Sequence, residues 1–216
     1  RPLTVDALAP AAPDEHLLTV SNLSVAYPQP GGQLKPVVHD VSFAVDRGEV
    51  LGIVGESGSG KTQTAFAILG LLPAEALITA GTIVFDGITL ASGESQLSQS
   101  LLAALRGKRI AYIPQEPMSN LDANFTIGHQ LVRPLVKVLG LSRGDAVKRA
   151  LELLQIVGIP NPQRTFDAYP HEVSGGMAQR VLIAGAVSCN PDLLIADEPT
   201  TALDVTVQAD VLDLLR

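Results

Sequence analysis

Gly55, Glu56, Ser57, Gly58, Ser59, Gly60, Lys61 and Thr62 stand in unbroken succession, and no other stretch constrains the fold of this chain as tightly. A continuously apolar run, Val50 to Val54, precedes them, and a helix-like stretch from Lys61 to Leu72 follows. Glycines at these spacings let consecutive backbone N–H groups turn inward around an anion. The start of a helix adds favourable partial positive charge. Lys61 is spaced to reach the β- and γ-phosphates of a nucleotide, and Thr62 to ligate Mg²⁺. The run from Val50 to Val54 reads as a strand buried on both faces. A glycine-rich turn matching by accident is the alternative, and the flanking strand and helix patterns weigh against it.

The rest of the chain alternates in the same way. Leu18, Val20, Leu23, Val25 and Tyr27 predict a strand, Val37 to Val45 a second, and Thr82 to Phe85 a third, ending in the hairpin-type dipeptide Asp86-Gly87. Ile110 to Ile113 and Asp192 to Ala196 are short buried-strand candidates. Gly128 to Leu139, Ser142 to Val157 and Ser174 to Ser188 have helical periodicity, the second opening on a Ser142-x-x-Asp145 start. A helix is expected again from Val205. Strands alternating with helices around a glycine loop predict an α/β fold with a mainly parallel core sheet. The antiparallel-looking opening and the helical stretch between Gly128 and Val157 predict an antiparallel β subdomain and a helical subdomain on it. Residues 1–16, with Pro2, Pro10 and Pro13 among alanines, read as a flexible lead-in or linker to a domain over 17–216. Both ends look cut, since the chain opens on Arg1 and closes on Arg216 inside an apolar periodic pattern.

Two further clusters carry chemistry. Leu193, Leu194, Ile195 and Ala196 run into Asp197 and Glu198, which places two carboxylates at the carboxyl end of a strand, where α/β folds bind ligands. There Asp197 can hold the shell of a Mg²⁺ ion and Glu198 can polarise an attacking water. Ser174, Gly175 and Gly176 precede an apolar helix, either as an ordinary cap or as a second anion site of exposed N–H groups. Composition narrows the classes. The 216 residues are 46% hydrophobic and carry a net charge of −7, which argues against a nucleic-acid binder with a large basic face. Aromatics are 4% and Trp is absent, so the core must be aliphatic. The single Cys189 lies in an apolar run and reads as a small buried hydrophobe. No apolar run reaches the ~18 residues of a membrane span.

With these motifs in order, the chain resembles the nucleotide-binding domain of ABC transporters over residues 17 to 216. Val173, Ser174, Gly175, Gly176 and Met177 look like the family's signature loop, with Val for the usual Leu and Met for the usual Gln. Tyr27 sits where the family stacks an aromatic on adenine, the alternative being a core aromatic of its strand. Gln115 matches the glutamine that reaches Mg²⁺ and the attacking water. Ala202, Leu203 and Asp204 match the loop that crosses between subunits. The wording from Gln115 to Leu121, Tyr169-Pro-His-Glu172 and the stretch from Asn190 to Gln208 is similar to the dipeptide and oligopeptide importers, and nickel importers share most of it.

The resemblance implies two such domains, in a homo- or heterodimer, clamping two ATP molecules head to tail. Each ATP would lie against Tyr27, the 55–62 loop, Gln115, Asp197 and Glu198 of one subunit and Ser174, Gly175, Gly176 and Met177 of the other. Glu198 would be the general base, Lys61 and Mg²⁺ the charge stabilisers. Membrane permease subunits, an extracytoplasmic substrate-binding protein and a place at the cytoplasmic face of the membrane are implied with it. The family's switch histidine lies beyond Asp204, and none of His16, His39, His129 or His171 is placed to replace it. A binding-only nucleotide-regulated subunit is the reading from a different class, and Glu198 with the Ser-Gly-Gly centre counts against it. The stretch between Lys61 and Ser174 has no sustained heptads, which counts against the ABC ATPases of DNA repair, whose halves a long coiled coil separates. Fusion to a permease stays open.

Overall fold

The structure is a computed structural model that describes residues 16–93 and 95–199. The predicted lead-in (apart from His16) and the helix expected from Val205 lie outside the described residues. The chain divides into two compact units, Arg1–Leu105 and Arg106–Arg216.

The first unit is an antiparallel sheet with two helices. Strand β1 (Leu18–Pro28) lies between β2 (Leu34–Val45) and β3 (Leu77–Phe85), and β4 (Ile88–Ser92) and β5 (Ser95–Gln96) continue the sheet in the order β2-β1-β3-β4-β5. The apolar residues of β1 change parity along the strand. Leu18 and Val20 face the core, and so do Leu23 and Val25. A strict two-residue alternation would put one pair outside. A bulge at Asn22, with φ +51°, absorbs the extra residue and returns Leu23 to the core. Gly81 of β3 makes room for it, because a Cβ there would sit 2.6 Å from the Asn22 carbonyl. Asn22 Nδ2 donates to Asp40 Oδ1 at 2.7 Å across to β2. The β3–β4 hairpin turns on Asp86 (φ +47°) and Gly87 (φ +74°), with Phe85 opposite Ile88. Two left-handed residues match the twist of the strands they join, as the Asp-Gly pair predicts. Helix α1 spans Lys61–Leu69 and α2 Gln99–Leu105. The first stops short of the expected Leu72 because Gly70 closes it in a left-handed conformation, φ +62°.

The strand expected over Val50 to Val54 does not form. Val50 is 74% and Val54 96% exposed. A strand exists only where a neighbour completes its ladder, and the five strands of this unit pair among themselves. Apolar character predicted burial, but it carries no information about a hydrogen-bonding partner.

In the second unit β6 (Ile110–Ile113) and β7 (Leu193–Ala196) form the parallel pairing that the α/β pattern predicts, in register from Ile110 opposite Leu193 to Ile113 opposite Ala196. Helices α3 (Ile127–Leu139), α4 (Arg143–Ile156), α5 (Pro162–Asp167) and α6 (Gly175–Val187) accompany it. Their core is aliphatic, with Ile113, Ile127, Leu131, Leu135, Leu154, Val181 and Ile183 buried together. Helix starts follow the sequence signals. Ser142 Oγ accepts from the Asp145 amide at 3.1 Å and donates to its carboxylate at 2.6 Å. Gly140, at φ +69°, ends α3 so that α4 can turn back within two residues. Cys189 is buried and 3.7 Å from Ser188 Oγ, as its apolar neighbourhood predicts.

Candidate nucleotide site

In the first unit the 55–62 loop leads directly into α1. Gly58 and Gly60 have φ +81° and +94°, which a side chain would resist. Gly60 also packs on β2, where a Cβ would meet the Val37 carbonyl oxygen at 2.6 Å and Val38 Cγ2 at 3.1 Å. As the residue before the helix it supplies no side-chain cap, so the start of α1 is built from bare backbone, the arrangement that receives a phosphate. Lys61 Nζ curls back to donate to the carbonyls of Gly55 at 2.7 Å and Glu56 at 3.0 Å. The ammonium is thus held over the loop, on the atoms of the loop itself. Glu56, Ser57, Gly58 and Ser59 are exposed, and Thr62 is half-buried on the first turn of α1. The Tyr27 hydroxyl, at the end of β1, donates to Gln63 Oε1 at 2.8 Å and so ties that aromatic to the same turn.

In the second unit the parallel register decides the geometry. Because Ile113 lies opposite Ala196, the residues just past the two strand ends emerge side by side. The Asp197 amide donates to the Ile113 carbonyl at 2.9 Å, extending the ladder by one bond. Gln115 Nε2 donates to Glu198 Oε2 at 2.7 Å. Asp197 is 8% exposed and Glu198 is exposed. Glu198 has φ +45°, a conformation in which strain is stored at functional sites. The Tyr112 hydroxyl donates to Asp197 Oδ2 at 3.3 Å. Burial, then the charge of Asp197 and the bond to it, push the Tyr112 hydroxyl up to about 12.

The signature residues open α6. Ser174 Oγ accepts from the Met177 amide at 3.3 Å. Ser174 and Gly175 are exposed, and a Cβ on Gly175 would meet nothing within 4 Å, so its bareness serves no packing of the chain's own. The Met177 side chain packs instead on the aliphatic core, leaving its backbone as the part near the helix start. The sequence-predicted residues therefore gather as Tyr27 with the 55–62 loop in one unit, and Gln115 with Asp197 and Glu198 in the other. Asp204 lies outside the described residues. His171, exposed, stacks on Tyr169 with ring centroids 5.8 Å apart.

Sequence reasoning missed Tyr112 and Gln179. Tyr112 is the one polar-tipped residue in the Ile110–Ile113 run, and Gln179 stands beside Ala178 and Val181 on an otherwise apolar helix face. Both were visible as polar interruptions, but their partners, 85 and 20 residues further on, were not.

The family profile of ABC transporters matches residues 38–201, which takes in the loop, Gln115, the signature and both carboxylates. The chain belongs to the ABC transporter family. Among ABC proteins it is 46% identical over 201 residues to the oligopeptide transport ATP-binding protein OppD of Bacillus subtilis, covering 93% of this chain and 55% of that protein. It is 45% identical over 199 residues to the dipeptide transport ATP-binding protein DppD of Haemophilus influenzae, covering 92% and 59%. The chain thus spans a little over half the length of these curated relatives. Among solved ABC structures, the dimeric bacterial cassette MJ0796 superposes with a TM-score of 0.80 at 28% identity, over 92% of this chain and 81% of that one. A post-hydrolysis dimer of the same cassette, bound to ADP and Pi, gives 0.79.

Proposed function

We propose that this chain is the ATP-binding and hydrolysing part of an importer of di- or oligopeptides. The observation that carries the hydrolytic reading is the 2.7 Å bond between Gln115 and Glu198 at the carboxyl ends of the parallel pair. It brings an amide and a carboxylate to one place, and a water that displaced this bond would meet a donor on one side and an acceptor on the other. The names of the relatives support the peptide class.

The residues present fit a magnesium nucleotide. The start of α1 is uncapped by any side chain, Lys61 Nζ rests on the loop carbonyls, and Asp197 and Glu198 supply hard oxygen donors. Thr62, Asp197 and Gln115 would hold Mg²⁺, which supplies charge neutralisation at the β- and γ-phosphates. Tyr27 would stack on the adenine. The 55–62 loop would cradle the phosphates, with Lys61 exchanging its carbonyl partners for phosphate oxygens. Gln115 would orient water against Glu198. The Glu198 carboxylate takes a proton as the water oxygen bonds to the γ-phosphorus, and the bond from that phosphorus to the bridging oxygen breaks to leave ADP.

Ser174 caps the start of α6 with its hydroxyl and Gly175 leaves exposed bare backbone beside it, suited to closing on the ATP of a second ATPase subunit, and the dimeric cassettes of like fold support that assembly. No described helix is long and apolar enough to cross a membrane. The transport names of the relatives support permease subunits as the route to the cytoplasmic face, with an extracytoplasmic binding protein delivering peptide.

The test is Mg-ATP hydrolysis by the full-length protein reconstituted with its membrane partners. Glu198→Gln should lower kcat by about 10²–10⁴-fold with ATP binding retained. Full activity in that variant would remove Glu198 from the role of base. Stimulation by delivered peptides supports peptide import, and stimulation by nickel alone would move the substrate class to metal.

A further inference from the structure

Helix α6 buries one polar side chain among its apolar ones. Gln179 is 1% exposed, beside the equally buried Ala178 and Val181. Its Nε2 donates to the Pro199 carbonyl at 3.0 Å, and its Oε1 has no hydrogen-bond partner among the described residues. Pro199 directly follows Glu198, whose backbone is left-handed at φ +45°. A glutamate rarely adopts that conformation unless surrounding structure over-determines it. Bonds among the described residues contribute to that here. The Ile113 carbonyl takes the Asp197 amide before it, Gln115 takes its carboxylate, and Gln179 takes the carbonyl after it. Proline has no N–H, so its carbonyl is the one backbone group of Pro199 that can hydrogen-bond.

Packing does not ask for an amide at this place. Burying an amide costs stability that its hydrogen bond must offset, whereas methionine, of nearly the same length, fills such a space without polar atoms. We propose that Gln179 is a positioning residue, whose buried bond to the Pro199 carbonyl keeps Glu198 in the conformation from which it takes a proton from water. This rests on the reading of Glu198 as general base.

The test uses the full-length protein with its membrane partners and compares Gln179→Met with the wild type. The readouts are kcat and KM for ATP, equilibrium binding of a fluorescent ATP analogue, and the thermal midpoint. Gln179→Met should lower kcat tenfold or more, with nucleotide affinity within twofold and the midpoint unchanged or raised. On a Glu198→Gln background the same substitution should change the residual rate less than twofold, because the group it positions is gone. Gln179→Asn, which keeps the amide but shortens its reach, should lower kcat in the same sense and serves if the methionine variant does not fold. A kcat within twofold of wild type, affinity falling in step with kcat, or a full tenfold loss persisting on the Glu198→Gln background would each overturn the proposal. Full hydrolysis by Glu198→Gln alone would instead overturn the base assignment, so the two failures are told apart.

Discussion

The two groups of residues proposed for the nucleotide, one in each unit, are placed by different means. The 55–62 loop is held mostly by what lies close to it in sequence, glycine dihedrals, the first turn of α1 and the Lys61 bonds to Gly55 and Glu56, with one longer contact where Gly60 seats on β2. The carboxylates are held by what lies far from them. Asp197 and Glu198 owe their position to a ladder between β7 and a strand more than eighty residues upstream, and to Gln115 beyond that strand's end. The apolar runs before the two sites sharpen the contrast. Leu193–Ala196 became a strand because β6 was there to receive it, while Val50 to Val54, as apolar and as short, formed none. A loop that binds through its own backbone tolerates this, and a pair of side chains that must meet does not.

Breaking the ladder should have the larger effect. Ile113 is fully buried and pairs with Ala196. Ile113→Ala should cost about 2–5 kcal/mol in denaturant unfolding, and it should lower hydrolysis more than nucleotide binding, because Gln115 and Glu198 lose their common support. If binding and hydrolysis fell equally, the carboxylates would not depend on the ladder. Gly60→Ala attacks the other half. With φ +94° and a Cβ 2.6 Å from the Val37 oxygen, it should cost about 1–3 kcal/mol. Nucleotide affinity should fall more than tenfold by equilibrium titration. A variant that binds ATP normally would show that the loop adapts and is not set by its glycines.

The smallest effect concerns pH. Burial and Asp197 raise the Tyr112 hydroxyl from 10.0 to about 12. Its neutral form is favoured in the folded chain, so the associated stability is fully present below pH 10. It is lost as pH rises toward 12, where the unfolded chain ionises first. Unfolding midpoints between pH 9 and 12 should therefore fall more steeply for the wild type than for Tyr112→Phe. Parallel curves would mean that neither burial nor Asp197 raises the hydroxyl in the folded chain.

Much of the fold was legible because its signals are local. Asp86-Gly87 declared a hairpin, Ser142 and Asp145 a capped helix, and the Ile110–Ile113 and Leu193–Ala196 runs were recovered as strands. The resemblance to the ABC family held, and in the second unit Gln115 bonds Glu198 beside Asp197. The bulge at Asn22 was not legible, since the parity change from Val20 to Leu23 gains meaning only with Gly81 opposite. Nor was α2, a short helix without a strong start signal.

By itself the sequence determined which chemical groups are candidates for a nucleotide site, and several of the local conformations that hold them, because φ preferences, caps and turns act within about four residues. Only the tertiary structure decided which apolar run becomes a strand, which amide meets Glu198, and that Tyr112 and Gln179 reach the carboxylate turn. Those contacts join residues from 20 to 85 positions apart, and hydrophobic burial, which is non-directional, favours collapse without naming the partner.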